Sequence, residues 1–334
     1  MRTLLCTQVR PEASAVMTFT FADVSGADFI FRAGQFVTLK LPLESGPVWR
    51  SFTIASSPAR GGQIGLTVKA QAAGQATRWM HERLRPGMTL DADGPHGRFH
   101  PAERPERPLV LASAGSGATP MAAMLRWLDD AGIGVPVHYI HCGHTSADLL
   151  FREEIEPIAG RRAAFRLDWL ATSVSGRPDA AGMRALVPSL AEADVFCCGP
   201  SGFMAVMREA HALAGGECGA WHEESFHPEA AEGAAVTATT TAAAGETGFA
   251  VRFLPQGIDI LALPGETILD AGLRCGLPLA SSCRQGVCGT CRLRKLSGEV
   301  EMHQDGGLFD DEVEAGEILA CCSRPLTALV VECA

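Results

Sequence analysis

Four cysteine positions near the end of this chain have the spacing of a redox centre. Cys283, Cys288 and Cys291 stand as C-x4-C-x2-C in SSCRQGVCGTCRL, and a Cys321–Cys322 pair follows after 29 intervening residues. That is the spacing of a [2Fe–2S] site. A tight loop turns three thiolates toward two irons, and the fourth arrives from a distant strand end. Gly286 and Gly289 let the backbone approach the sulfides and donate N–H groups to them. Zinc is disfavoured, because zinc sites use paired C-x2-C knuckles. Seven of the twelve cysteines fall in the last 60 residues. Such a cluster reads as a metal site in a reducing compartment rather than a disulfide framework.

The ligand run resembles the plant-type ferredoxins, and the resemblance covers all of 249–334. PGETILDAGLRCGLPLASSC is similar to that family's helix leading into the ligand loop. The family places the fourth ligand four residues before a proline, here Pro325, which selects Cys321 over Cys322. The implied fold is α+β, a β-grasp. Cys275 and Cys333 match no ligand position and are expected as buried small apolar residues.

A second constellation is Arg50-Ser51-Phe52-Thr53 on a strand after a Gly/Pro turn. It resembles the R-x-Y-[ST] motif of the ferredoxin–NADP reductase superfamily. The resemblance implies that Arg50 binds flavin phosphate and the Phe52 ring stacks on the isoalloxazine. The Thr53 hydroxyl then lies near flavin N5, where hydride is accepted. Phe52 replaces the usual Tyr, so stacking survives and one hydroxyl is lost. Gly74-Gln75-Ala76-Thr77 resembles the family's G-x-x-[ST], opening a helix whose N-terminus receives the pyrophosphate. DGPHGRF (93–99) is similar to the strand that closes the family's barrel. FAD fits the helix signature better, and FMN stays open.

The third constellation follows the apolar run PLVLASA (108–114). Gly115-Ser116-Gly117-Ala118-Thr119-Pro120 departs from G-x-G-x-x-G and matches the G-x-G-x-T-P of the same superfamily. Gly115, Gly117, Thr119 and Pro120 would bring backbone amides and a helix dipole to a pyrophosphate. Cys198-Gly199-Pro200 corresponds to the family's C-G-P beneath the nicotinamide, with Cys198 as the active-site cysteine and Cys197 facing the sheet core. In HEESF, Glu224 and Phe226 match an E-x-F that ends the nucleotide domain in related reductases, with Phe226 near the flavin. NADH is favoured over NADPH, because ATSVSGRP (171–178) has no basic residue before Arg177. His144 stands where relatives often carry Arg. His222 has no ligand spacing and reads as structural or solvated.

Flavin, nucleotide and ferredoxin units in this order resemble the reductases of Rieske-type oxygenases, including phthalate, vanillate and quaternary-amine demethylase systems. The resemblance implies an electron chain from NADH through flavin and [2Fe–2S] to a terminal oxygenase. The flavin is required because a hydride carries two electrons and the cluster takes one. Two other classes remain to be separated. One is a self-contained NAD(P)H:acceptor oxidoreductase or hybrid-cluster protein reductase, and the other is an iron–sulfur sensor. The absence of a Rieske Cys/His pattern or a C-x-x-C-H haem motif favours an external oxygenase.

The elements that must position these groups are legible in outline. The 334 residues suit two or three domains. Short alternating runs over 1–101, such as AVMTFTF and IGLTVKA, predict an antiparallel β-barrel, interrupted by one helix in QATRWMHERLRPG. From 102 to 226, apolar strands alternate with helices, as in an α/β parallel sheet. Residues 227–248 are small and polar and read as a flexible linker. The net charge of −10 argues against nucleic-acid binding. No apolar run approaches a membrane helix or signal peptide, so a cytoplasmic monomer is expected. The unit 249–334 carries twelve acids against seven Lys/Arg, eight of the acids within 299–317. That face is expected to steer a basic redox partner.

Overall fold

The computed structural model describes the chain apart from residues 72–73, 225, 227–247, 256, 278, 280–283, 285, 287–288, 290, 305 and 334. It forms two compact units, Met1–Ala230 and Ala231–Ala334. The expected linker therefore lies almost wholly outside the described residues.

The first unit opens with β1 (Arg2–Ala13), β2 (Val16–Asp23), β3 (Phe36–Leu43), β4 (Gly46–Thr53), β5 (Gln63–Lys69), α1 (Gln75–Arg83) and β6 (Thr89–His96). The strands pair antiparallel in the order β4-β3-β6-β1-β2-β5. An Ile54–Leu66 bridge joins the two edges, and the Ala55 N–H donates to the Gly65 carbonyl at 2.8 Å, so the sheet closes on itself. Alternating residues fill the interior: Phe19 and Phe21 from β2, Leu39 and Leu41 from β3, Ile64 and Leu66 from β5. β1 has no clean alternation, because register shifts interrupt it at Cys6/Gln8 and Pro11/Ala13.

The same unit continues with β7 (Leu109–Ala114), α2 (Ala118–Asp130), β8 (Val137–Gly143), α3 (Arg152–Gly160), β9 (Phe165–Ala171), α4 (Thr172–Ser175), α5 (Ala180–Leu186), β10 (Asp194–Cys198), α6 (Ser201–Leu213) and β11 (Trp221–Glu224). These strands form a parallel sheet in the order β11-β10-β7-β8-β9. β7 is buried along its whole length, which is why its sequence is an unbroken apolar run. Leu109 and Leu111 enter one core and Val110 and Ala112 the other. The strand order reverses between β7 and β10, and ligands bind beyond the strand ends at such a point.

Charged side chains fix the barrel to this sheet. Arg126 on α2 donates to the Ala55 carbonyl, two residues past β4, and to Glu154 on α3. Arg60 grips Asp130 with two bonds of 2.8 and 2.9 Å.

The second unit contains β12 (Phe249–Leu254), β13 (Ile258–Ala262), α7 (Ile268–Arg274), β14 (Arg292–Ser297), β15 (Val300–Met302), α8 (Asp310–Glu314), β16 (Glu317–Leu319), β17 (Ser323–Pro325) and β18 (Leu329–Cys333). A mixed sheet runs β13-β12-β18-β14-β16, and β15 pairs with β17. Thr267 caps α7 by accepting from the Asp270 N–H, and Ile268, Leu269 and Ala271 enter the core. Cys275 corrects the expectation of burial: it is exposed. The helix ends at Arg274 and Gly276 takes a φ of +77°, so the chain turns away before Cys275 can follow the buried face. Among the described residues, no helix is long and apolar enough to cross a membrane.

Candidate functional site

The iron–sulfur residues come together as far as they are described. Cys283 and Cys288 lie outside the described residues. Cys291, at the foot of β14, and Cys321, after β16, are both buried. The Cys321 N–H donates to Cys291 Sγ at 3.4 Å, and the Ala320 N–H to the Cys291 carbonyl at 2.9 Å. Gly286 and Gly289 have φ of +70° and +72°. A side chain at Gly286 would meet Cys322 Sγ at 2.9 Å, and one at Gly307 would meet the Gly286 carbonyl at 2.5 Å. At Gly286, Gly289 and Gly307 the backbone thus passes close to other backbone and to a thiol, an approach only glycine permits and one that fits a cluster. Cys322 also borders the loop at Gly286, and its thiol donates to the Leu319 carbonyl at 3.6 Å.

The flavin motif occupies β4. Register sets Arg50 opposite Leu39, Ser51 opposite Thr38, Phe52 opposite Val37 and Thr53 opposite Phe36. Ser51 and Thr38 share a hydroxyl hydrogen bond of 3.1 Å. Phe52 is half-buried against the barrel core, and Thr53 is buried. Arg50 donates to the Trp49 carbonyl at 3.0 Å. Gly74 is the N-cap of α1 and brings no capping side chain, which leaves first-turn amides open to an anion. Gln75 and Ala76 form that first turn. Thr77 serves the turn itself: its hydroxyl accepts from the Gln71 N–H at 3.1 Å and donates to the Gly74 carbonyl.

The nucleotide motifs meet at the switch point. Gly115 has a φ of +56°, and Gly117 is the N-cap of α2. Thr119 donates to the Ser116 carbonyl at 3.0 Å, and Pro120 sits in the first turn, where its missing N–H costs no helix bond. A Cβ on Gly117 would lie 2.1 Å from the Cys198 carbonyl oxygen, and one on Gly199 would lie 3.1 Å from Ala114. Pro200 caps α6. A cavity of about 760 Å³ opens over these strand ends, lined by Cys142 of β8, by Gly115, Thr172 and Pro200 in the turns and helix starts after the strands, and by Ser14 and Lys69 from the barrel.

Beside it, Cys198 and Glu224 are register partners on β10 and β11, and both are buried. Burial pushes the Cys198 thiol well above its ordinary range, and the adjacent Glu224 adds to that. Burial also pushes the Glu224 carboxyl up to about 8. Glu224 Oε2 has no hydrogen-bond partner among the described residues. Phe226 packs on the core that holds Cys198. His222 stacks on its register partner Phe196 at 4.5 Å, a packing role.

Sequence reasoning missed a buried polar cluster beneath the cavity. Ser113 bonds His141 Nδ1 at 2.8 Å and Tyr139 OH at 3.1 Å, and burial pushes His141 down to about 4. Only the mixed polarity at the ends of β7 and β8 hinted at it.

Comparison with known proteins agrees along the whole chain. The oxidoreductase FAD-binding domain matches residues 8–100, the oxidoreductase NAD-binding domain residues 111–209, and the 2Fe-2S iron-sulfur cluster binding domain residues 251–326. The stachydrine N-demethylase reductase subunit Stc4 of Rhizobium meliloti is 39% identical over 98% of this chain and 96% of its own. A glycine betaine monooxygenase reductase subunit of Pseudomonas aeruginosa is 33% identical over 98% and 94%. In fold, phthalate dioxygenase reductase superposes with a TM-score of 0.65 at 24% identity, over 99% of this chain and 97% of that one. An intact type IV self-sufficient cytochrome P450 monooxygenase gives 0.75 at 25% identity, and this chain spans 40% of its length. The chain has three domains that take FAD, NADH and a [2Fe–2S] cluster, and it belongs to the family of flavin and iron–sulfur oxidoreductases that serve as reductase components of oxygenase systems.

Proposed function

We propose that this protein is the reductase of a Rieske-type oxygenase acting on a small quaternary amine, as a demethylase or hydroxylase. The observation that carries the reading is likeness over nearly the full chain to reductase subunits of stachydrine and glycine betaine oxygenases. When bound, FAD takes the hydride pair from NADH, and the cluster passes the electrons on singly.

The chain's own residues have these roles in that reading. Arg50 holds the flavin phosphate, together with the open helix end at Gly74, Gln75, Ala76 and Thr77. Phe52 stacks on the ring and Thr53 offers its hydroxyl near N5. Gly115, Gly117, Thr119 and Pro120 present amides to the dinucleotide pyrophosphate, and Cys198, Gly199 and Pro200 floor the nicotinamide. Cys198 and Glu224 stay neutral near pH 7, so neither sets a negative charge beside the travelling hydride. Phe226 guards the ring's entry. Cys283, Cys288, Cys291 and Cys321 hold the irons.

The partner docks at the acidic end of the ferredoxin domain. Asp310, Asp311 and Glu314 on α8 are exposed beside the apolar Phe309 and Val313. Glu312 is committed to Arg292 at 2.8 Å, next to the ligand Cys291. A basic partner face would be steered there. The reading also makes the protein a cytoplasmic monomer, in keeping with the free cysteines among the described residues.

The test is anaerobic reduction followed by visible and electron-paramagnetic-resonance spectra. NADH should bleach the flavin and raise a reduced [2Fe–2S] signal, and the co-expressed oxygenase should then turn over a betaine. Reduction by dithionite but not by NADH or NADPH would overturn the nucleotide assignment.

A further inference from the structure

Helix α2 is engaged at both ends. Gly117 caps its start, and its C-terminal end carries Arg126 and Asp130, four residues apart on one face. Its 13 residues make a rod about 20 Å long at ~1.5 Å per residue. The far end of the rod grips the chain that leaves β4, directly after Arg50–Thr53.

Arg126 is the centre of that grip, and its side chain is only 10% exposed. Nη1 donates to the Ala55 carbonyl, two residues past Thr53. Nε and Nη2 donate to the two carboxylate oxygens of Glu154 on α3. Ala55 is itself pinned to the barrel, because its N–H donates to the Gly65 carbonyl. Burial works against the charge on Glu154, and the Arg126 bonds outweigh it, holding the carboxyl below its usual range. The guanidinium lies 4.8 Å from the centre of the Phe151 ring. Phe151 takes a φ of +62°, a left-handed conformation that is costly for a residue with a side chain and persists where surrounding contacts impose it. Asp130 adds a second hold further along the chain. It accepts two bonds from Arg60 and one from the buried Ser57 hydroxyl. Sinking a guanidinium this deep costs desolvation that a surface clamp would avoid. What it gains is a planar fork that reaches α3 and the end of β4 together.

We propose that Arg126 is a positioning residue for hydride transfer, holding the β4 end that carries Thr53 at a set distance from the α2 turn that carries the nucleotide. The proposal rests on reading β4 as the flavin strand and that turn as the pyrophosphate site. The chemistry is unchanged: the C4–H bond of NADH breaks, its electron pair and proton pass as hydride to N5 of bound FAD, and NAD+ leaves. Arg126 acts through the backbone, by setting how closely C4 and N5 approach. A misplacement near 1 Å is worth up to about a hundredfold in rate.

The experiment uses the full chain with its cofactors, mixed anaerobically with NADH or C4-dideuterated NADH in a stopped-flow. In Arg126→Met and Arg126→Lys, FAD content and NADH Kd stay within about twofold of wild type, while the limiting rate of flavin bleaching falls by about tenfold or more. The slowed step carries a larger isotope effect. The long-wavelength charge-transfer absorbance of nicotinamide against flavin weakens in parallel. Amide hydrogen exchange over 54–66, measured on the resting holoenzyme, speeds up. Arg126→Lys behaves like Arg126→Met because it keeps the charge and loses the fork. Arg60→Ala removes only the second hold, whose Arg60 side chain is 58% exposed, and moves the same readouts by less.

An unchanged limiting rate and charge-transfer absorbance in both Arg126 variants overturn the proposal. So does a variant that loses FAD and regains the wild-type limiting rate once FAD is restored, because its role is then structural only. If neither Arg126 variant folds, Arg60→Ala decides by the same readouts. A wild type whose flavin NADH does not bleach overturns the functional reading itself, and the proposal with it.

Discussion

Gly117 lies so close to Cys198 that a methyl group on it would sit 2.1 Å from the Cys198 carbonyl oxygen. Two motifs about 80 residues apart thus share one van der Waals surface at the switch point of the parallel sheet. Gly117→Ala must push the Gly115–Gly117 turn off β10. We expect kcat/KM for NADH to fall by about a hundredfold, the order that a misplacement near 1 Å can produce. Absorbance should show flavin and cluster still bound. Unchanged NADH kinetics in this variant would count against the turn as a pyrophosphate site.

Glu224 is predicted to make stability depend on pH. Its folded pKa, about 8, lies above the ordinary value of 4.5. The stabilisation from keeping it neutral is therefore complete below about 4.5 and is lost as pH rises through about 8. Glu224→Gln removes the titration. Melting curves of wild type and variant should coincide in shape below about pH 4.5, separate progressively between about 4.5 and 8, and stay apart above that, with the variant the more stable. Parallel curves across that range would refute the assignment.

Cys321 and Cys322 are neighbours with different surroundings. Cys321→Ser should abolish the [2Fe–2S] absorbance and cytochrome c reduction while NADH still bleaches the flavin. Cys322→Ser should retain the cluster, since the spacing to Pro325 assigns the fourth ligand to Cys321. The opposite pattern would move the fourth ligand by one residue.

Charge reversal at Asp310 and Asp311 should slow electron delivery to the oxygenase at low salt by about tenfold, and the difference should shrink as ionic strength rises. The NADH–ferricyanide rate is the control, since it does not involve that partner. A salt-independent defect would point to damage at the cluster instead.

The sequence by itself determined the chemistry. The spacing of Cys283, Cys288, Cys291 and Cys321 reads as a cluster site because ligand geometry is local for three of the four thiols. The unbroken apolar run of β7 announces a strand buried on both faces, and the glycine-rich turn after it reads as a phosphate site. What the sequence left dark depends on contacts between distant residues. Arg177 was legible as a basic residue but not as a wall of the cavity, because that requires the α4 turn to fold over the ends of β8 and β9. Cys275 has the composition of a core residue and is exposed, because the end of α7 falls one residue before it. The upward shift of the Glu224 carboxyl follows from burial beside Cys198, and burial is a property of packing that no local pattern records. Spacing along the chain chooses the cofactors. The charge state and reach of the side chains around them are set by which strands become neighbours, because desolvation and Coulomb terms act through space.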